Sequence, residues 1–347
     1  MAQVRLPTVN QGQARDRYRA AQSILALALL ATGGTKLYLD HGRWATALTQ
    51  RPSFRPTPPG FDLRRTTIPR KEIRRGGPAK DGIPSLTAPE FMVADAAMYL
   101  DPGDRVVGVV IDGEARAYPL RILTWHEVVN DTIRDTSIAV TFCPLCDSVA
   151  VFDRRTPNGV KEFGVSGQLY NSNVLMYDRN GRPEALWSQI KSESVSGPKA
   201  GQRLKALPVE LTTWADWQWR HPATKVLSTH TGHDLRYDHD PYAGYLDRPG
   251  LMFPVGLKSD RLPEKAKVLG VLAEDGTTKA YPLSAFTEAQ GPRDIRDEIG
   301  GRKLRLYSDP RSSTLRVVEA DRGLHWMYAL WFAWYAFHPT TDVFSGR

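Results

Sequence analysis

Apolar and small positions run through Val106-Val107-Gly108-Val109-Val110-Ile111, break at Asp112-Gly113, and resume through Glu114-Ala115-Arg116-Ala117-Tyr118 before Pro119-Leu120. An apolar run broken by Asp-Gly predicts a hairpin, and a proline directly after it predicts a helix start. The same order returns at Val268-Leu269-Gly270-Val271-Leu272-Ala273, Glu274-Asp275-Gly276 and Thr277-Thr278-Lys279-Ala280-Tyr281-Pro282-Leu283, with one extra residue before the turn. The likeness continues through Thr124 and Thr287, and through Ile133-Arg134-Asp135 and Ile295-Arg296-Asp297. It ends with Ile138-Ala139-Val140-Thr141-Phe142 against Leu304-Arg305-Leu306-Tyr307-Ser308. We read an internal duplication in which each copy runs strand, turn, short strand, short helix, strand.

Other segments are predicted from the same patterning. Pro89 to Leu100 has the apolar spacing of a short helix. Between the copies, Val149–Phe152 and Val174–Tyr177 alternate as strands, and Phe163-Gly164-Val165-Ser166-Gly167 predicts a close backbone approach. Thr212-Thr213-Trp214-Ala215-Asp216 reads as a capped helix start that ends near Pro222. His230 to Asp240 reads as a hydrophilic loop running into Tyr242 and Tyr245. The stretch Leu324 to Phe337 is apolar all round and, at this length, predicts a buried helix rather than a membrane span.

These readings give a mainly β protein with short helices (α+β), two pseudo-repeated β-rich units packed into one globular body. The organisation expected is a signal-like or anchor segment at 1–34, a Pro/Gly/Arg-rich linker or wrapping arm at 35–88, and a globular domain at 89–345. Within that domain the first unit falls at about 104–155, an inserted segment at 156–262, the second unit at about 266–320 and an aromatic helix at 324–338.

Composition changes this picture at one end. Of the 347 residues, 41 % are hydrophobic, which fits a folded core. The net charge of +8 resides in the first 80 residues, which hold 15 Lys and Arg against 4 Asp and Glu. The remaining chain is slightly acidic, so a nucleic-acid groove is not expected. Arg5, Arg15, Arg17 and Arg19 precede the apolar run Ile24 to Ala31 and the small residues Thr32, Gly33 and Gly34. Basic, apolar, small is the order of an export signal, and Lys36 interrupts the run before the roughly 20 residues a membrane crossing needs. The expectation is an exported chain, periplasmic, extracellular or anchored to a membrane by its N-terminal segment, acting on a small-molecule or protein partner.

The only two cysteines stand together in Thr141-Phe142-Cys143-Pro144-Leu145-Cys146. A Cys-x-x-Cys at the end of an apolar strand is a candidate for metal or redox chemistry. No helical pattern follows Cys146, which argues against the dithiol arrangement that lowers a thiol pKa at a helix N-terminus. No second cysteine pair exists to complete a zinc knuckle, so remaining ligands would be His or carboxylate. The two copies differ where chemistry would lie: Thr124 is followed by Trp125-His126-Glu127, but Thr287 by Glu288-Ala289-Gln290, and Cys143 aligns with Asp309. Cys143, Cys146 and His126 are therefore the candidate metal ligands, with copper or zinc suited to thiolate and imidazole. Cys143, His126 and Glu127 are the candidate catalytic residues, and Asp147 a supporting group. His230, His233 and His239 have loose metal spacing but read as a hydrophilic loop. Gly164-x-Ser166-Gly167 lacks the last glycine of a nucleophile elbow.

Taken together, Trp125-His126-Glu127-Val128-Val129-Asn130-Asp131, Thr141 to Cys146, Phe152-Asp153-Arg154, Phe163 to Gly167, Trp187, Asp240-Pro241-Tyr242 and Trp331 to Pro339 resemble the family labelled domain of unknown function 3179. The resemblance covers about residues 80 to 345. It implies an exported or membrane-anchored bacterial protein, and threonine at the position of Cys146 in some members, which puts weight on Cys143 with His126. It implies no activity. Three functions follow from the residues: a metal-binding protein or metalloenzyme; a thiol enzyme or redox protein using Cys143 with His126; and a non-catalytic envelope binding protein closed by a Cys143–Cys146 disulfide.

Overall fold

A computed structural model describes residues 60–287 and 291–346. The signal-like segment and the first part of the expected linker lie outside them. The fold is mainly β with short helices. Its principal elements run β1 (Arg105–Ile111), β2 (Glu114–Pro119), α1 (Leu120–His126), β3 (Val128–Ile133), β4 (Thr136–Cys143), β5 (Ser148–Asp153), β6 (Phe163–Tyr170) and β7 (Asn173–Asp178). They continue β8 (Glu210–Thr213), α2 (Trp214–Arg220), β9 (Lys225–Leu227), β10 (Lys267–Ala273), β11 (Thr278–Pro282), α3 (Ser284–Thr287) and β12 (Arg293–Ile299). The last are β13 (Arg302–Asp309), β14 (Thr314–Ala320), β15 (Leu324–Leu330), α4 (Trp331–Phe337) and β16 (Asp342–Val343).

The largest sheet, of nine strands, is ordered Leu86–Thr87, β3, β4, β5, β15, β10, β11, β16, with Lys205–Leu207 added on β5. A second sheet is ordered β8, β1, β2, β9 and Phe91–Val93. A third carries β6 and β7, and β12, β13 and β14 form a fourth. The two segments that match in sequence share their element order, and their pairings correspond. Strand β9 runs parallel to β2 as β16 does to β11, and β8 lies antiparallel to β1 as β15 does to β10. Tyr118 donates to Asp131 at 2.6 Å, and Tyr281 to Asp297 at 2.7 Å. Glu210–Leu227, expected inside the inserted segment, belongs to the second sheet through these contacts.

Two predicted helices are corrected. Leu324 to Phe337 is a strand, β15, followed by the seven-residue helix α4. A run apolar on every side fits a strand buried on both faces as well as it fits a buried helix, and periodicity alone does not separate them. Here β15 pairs with β10 along its whole length and meets β5 at Tyr328. Pro89 to Leu100 contains the edge strand Phe91–Val93 and a single 3₁₀ turn, Ala94–Ala96. Tertiary pairing with β9 overrides its weak helical spacing. The capped start at Thr213 holds: its hydroxyl accepts from the Asp216 N–H.

The Pro/Gly-rich stretch from residue 60 wraps the body. Leu63, Ile68 and Ile73 are buried against Leu175, Tyr177, Leu186 and Val195, each such side chain contributing roughly 2 kcal/mol. Arg74–Arg75 adds to β6, and Leu86–Thr87 runs parallel to β3. Strand β6 bulges between Val165 and Gln168, where a Cβ added to Gly167 would stand 2.4 Å from the Pro78 carbonyl. Among the described residues no helix is long and apolar enough to cross a membrane.

Candidate functional site

Strand β4 ends at Cys143, a single 3₁₀ turn (Pro144–Cys146) begins with proline, and Asp147 closes it in the left-handed region at φ 44° before β5 starts. The pairing of Cys143 with Ser148 holds the turn in register. The second unit has the same turn: Asp309 pairs with Thr314, and Ser313 is left-handed at φ 50°. Cys146 and Asp147 thus have Ser312 and Ser313 as counterparts.

Both cysteines are free and buried. Their sulfurs face one carbonyl, that of Ser172, at 3.8 Å from Cys143 and 3.2 Å from Cys146. Ser172 is delivered by the two-residue turn between β6 and β7, in which Asn171 and Ser172 both have positive φ. Such turns match the twist of an antiparallel pair and favour Asn at the left-handed positions. Below the turn lies a buried polar network. Ser148 and Asn173 both donate to Gln189 Oε1, at 2.6 and 2.8 Å, and Gln189 donates to Thr141 at 2.9 Å.

The two thiols are inequivalent. Burial pushes the Cys143 thiol up, but hydrogen bonds from the Cys146 thiol and from the Val174, Cys146 and Leu145 N–H groups outweigh it and bring its pKa below that of a free cysteine. Burial and the charge on Cys143 drive Cys146 well above the ordinary value. The two directions are opposite, so Cys143 is the easier of the two thiols to ionise.

Glu127 caps the end of α1 at φ 55°, its N–H bonded to the Leu123 carbonyl at 2.7 Å and its carbonyl accepting from Phe142 N–H at 2.8 Å. The second bond sets it beside β4, one position from Cys143. Its carboxyl is buried, and burial followed by the Cys143 charge raises its pKa well above the carboxylate range. A raised folded pKa gives stability that is full below the unfolded value and is lost as pH rises through the folded one. Glu127→Gln is therefore expected to gain about 1–2 kcal/mol over wild type at pH 8 and little at pH 4, read by urea unfolding at both pH values.

His126 does not join the cysteines. Its Nδ1 donates to the Pro84 carbonyl at 2.6 Å, and its Nε2 accepts from the Tyr237 hydroxyl at 2.7 Å. Tyr237 in turn accepts from Thr231. Burial lowers the pKa of His126 to about 4, against the pull of the Pro84 carbonyl, so the ring is neutral. Both nitrogens are spent on fastening the wrapping arm and the 228–266 loop. Among the described residues no group of three or more His, Cys, Asp and Glu side chains converges to hold a metal ion. The Cys143, Cys146 and His126 ligand set expected from the sequence is not assembled. Asp147 is engaged by Arg105 through two hydrogen bonds, at 2.8 and 2.9 Å.

Above the turn is a cavity of about 510 Å³, within the range of small-molecule sites, bounded by Leu120, Phe142, Pro144, Asp147, Tyr242 and Tyr245. His239 also lines it, while its carbonyl accepts from Trp125 Nε1 at 3.1 Å; His233 lies 5.4 Å from His126, ring to ring. Burial, then the charges of Glu127 and Cys143, raise the Tyr242 hydroxyl; burial and the two cysteines raise Tyr245. At the matching place in the second unit, Leu283, Ser308, Pro310 and Ser313 enclose only about 10 Å³. Tyr242, Tyr245 and the Asn171-Ser172 turn were not marked as site residues by the sequence. The turn had a usable signal, Asn-Ser between two alternating runs, whereas the tyrosines sit in an aperiodic loop.

No curated protein and no solved structure matches the chain. Residues 80–325, which include the Cys turn, Glu127, His126 and both tyrosines, match the family described as protein of unknown function DUF3179. That match spans well over half of the sequence, and the chain belongs to the DUF3179 family.

Proposed function

We propose that this is a thiol-based redox protein in which Cys143 is the nucleophile and Cys146 the resolving thiol. The observation that carries the reading is the pair of free, buried cysteines at one turn, whose two sulfurs both lie against the Ser172 carbonyl, at 3.8 and 3.2 Å. A nucleophilic thiolate with a protonated thiol at hand can close to a disulfide once an oxidant accepts two electrons from the pair. The basic, apolar, small order of residues 1–34 supports an exported protein. His126 acts here as a fastener of the loop, not as the base.

The test is thiolate absorbance and alkylation rate of the reduced full chain across pH. One thiol per chain is expected to ionise below about 8.5, the value of a free cysteine, and Cys143→Ser removes it, whereas Cys146→Ser leaves a thiolate. Titration against a dithiol/disulfide buffer should close and reopen one intramolecular disulfide. Ionisation at or above the free-cysteine value with no disulfide formed would sink the reading. Stoichiometric copper or zinc that disappears in Cys143→Ser would replace it with a metal centre.

A further inference from the structure

The dithiol reading leaves open what oxidises the pair, and three features of the site narrow it. The first is access. Cys143 is 1 % exposed and Cys146 not at all. The covering loop is tied down by Lys265, which donates to the Tyr245 and Arg248 carbonyls at 2.5 and 2.6 Å, and by Ser172, which donates to the Phe253 carbonyl at 2.5 Å. A protein disulfide must align its two sulfurs with the attacking one, which a thiol 1 % exposed beneath this cover does not offer. The cavity is lined by Phe142 and Pro144, on either side of Cys143, and by Tyr242, but not by Cys143, Cys146 or Glu127 themselves, so only a reagent small enough to pass between those side chains fits.

The second feature is Glu127. It is 6 % exposed, held at a left-handed φ by its own backbone bonds, and no hydrogen bond or ion pair from the described residues reaches its carboxyl. A buried, unpaired carboxyl in a strained backbone position costs stability, the usual mark of a functional constraint. The third is the leaving group. A departing thiolate, whose acid ionises near 8.5, leaves at neutral pH without a proton. A departing hydroxide or alkoxide does not, since water ionises near 15.7, and an acid at the site is then required.

We infer that the Cys143–Cys146 pair, on the dithiol reading above, reduces a small hydroperoxide that enters through the cavity, and that Glu127 supplies the proton the departing oxygen needs. The Cys143 thiolate attacks one peroxide oxygen, the O–O bond breaks, and the other oxygen leaves with the Glu127 proton as water or alcohol. Cys143 becomes a sulfenic acid and Glu127 a carboxylate. The Cys146 thiol then attacks the Cys143 sulfur, its proton joins the departing hydroxide as water, and the disulfide closes. The peroxide has gained two electrons and the thiols have lost them. A small dithiol resets the pair, returning two electrons and restoring the Glu127 proton. The second unit is the internal contrast: Asp309 stands for Cys143, and the cavity has closed to about 10 Å³.

The test mixes the reduced full chain with hydrogen peroxide, and separately with a small disulfide, and follows thiol loss. The wild type is expected to react with peroxide on the order of a hundredfold faster than free cysteine, the scale of general acid assistance, consuming one peroxide per two thiols. Cys146→Ser should stop at a sulfenic acid on Cys143 that dimedone traps. Glu127→Gln should slow the peroxide reaction at least about tenfold more than the disulfide reaction. A wild-type peroxide rate equal to that of free cysteine, while the small disulfide still oxidises the pair, overturns the substrate class and leaves the dithiol reading standing. No disulfide from either reagent overturns both. Equal slowing of both reactions in Glu127→Gln overturns its role as acid; failure of that variant to fold leaves the wild-type and Cys146→Ser results to decide the substrate.

Discussion

Gly108→Ala and Gly270→Ala are each expected to destabilise the protein by about 3 kcal/mol, at the upper end of overpacking costs. An added Cβ would stand 2.1 Å from Trp217 Cζ3 in one case and 2.2 Å from Trp334 Cζ3 in the other. Neither indole has room to retreat. Each is fully buried, its Nε1 donates at 3.0 Å to a threonine hydroxyl, Thr224 or Thr341, and its ring packs on His221 or His338 about 4 Å away. Neither glycine backbone is free to move either. Gly108 is paired with Ala117 and Glu210, and Gly270 with Ala280 and Met327. Urea unfolding should give the two variants losses within about 1 kcal/mol of each other, and Gly103→Ala, with nothing within 4 Å of its added methyl, a loss near zero. A cost below about 1 kcal/mol at either core glycine would mean the indoles are not locked as described.

That pairing of glycine and tryptophan shows what the sequence could and could not reveal. The two glycines stand out as equivalent positions in matching runs, yet nothing in the runs names the tryptophans, which arrive from 109 and 64 residues further along the chain. Strands with a regular alternation and an Asp-Gly break were legible because they depend on local pattern and turn chemistry. Leu324 to Leu330 was not, because a segment buried on both faces has no period to read. The Cys turn was legible as a strand-end turn, and the alignment of Cys143 with Asp309 matches the equivalent turns of the two segments. The contrast between the segments also promoted His126, but it marks only that a residue differs, not what the difference does. The partners of His126, Pro84 and Tyr237, are 42 and 111 residues away. Glu127 entered as a neighbour of His126, and the fold makes it the closer companion of Cys143.

Acid is expected to unfold the protein through two histidines, the buried His126 and the partly buried His338. His126 and His338 are each held near a pKa of about 4, principally by burial, against 6.5 in an unfolded chain. The sign follows from linkage: between those values the unfolded state binds the proton and the folded state does not, so stability falls as pH drops from about 6.5 to about 4. Each histidine then removes about 3 kcal/mol, and the two together remove about 6, a large share of the 5–15 kcal/mol typical of a folded protein. The unfolding free energy should therefore climb by nearly 3 kcal/mol per pH unit near pH 5 from these two residues, on top of any contribution from carboxylates. His338→Phe, which keeps an aromatic ring against Trp334, should remove about half of that slope, and His126→Gln the other half. An unchanged slope in the double variant would assign the acid sensitivity to other groups. The two histidines should also differ in what their protonation disturbs. His338 is packed on Trp334 with an unbonded Nε2, so its charging destabilises the core. Charging His126 removes the acceptor for Tyr237, which lines the cavity above the cysteines. Amide exchange in the 228–266 loop should thus rise with acid in the wild type and in His338→Phe alike, before global unfolding.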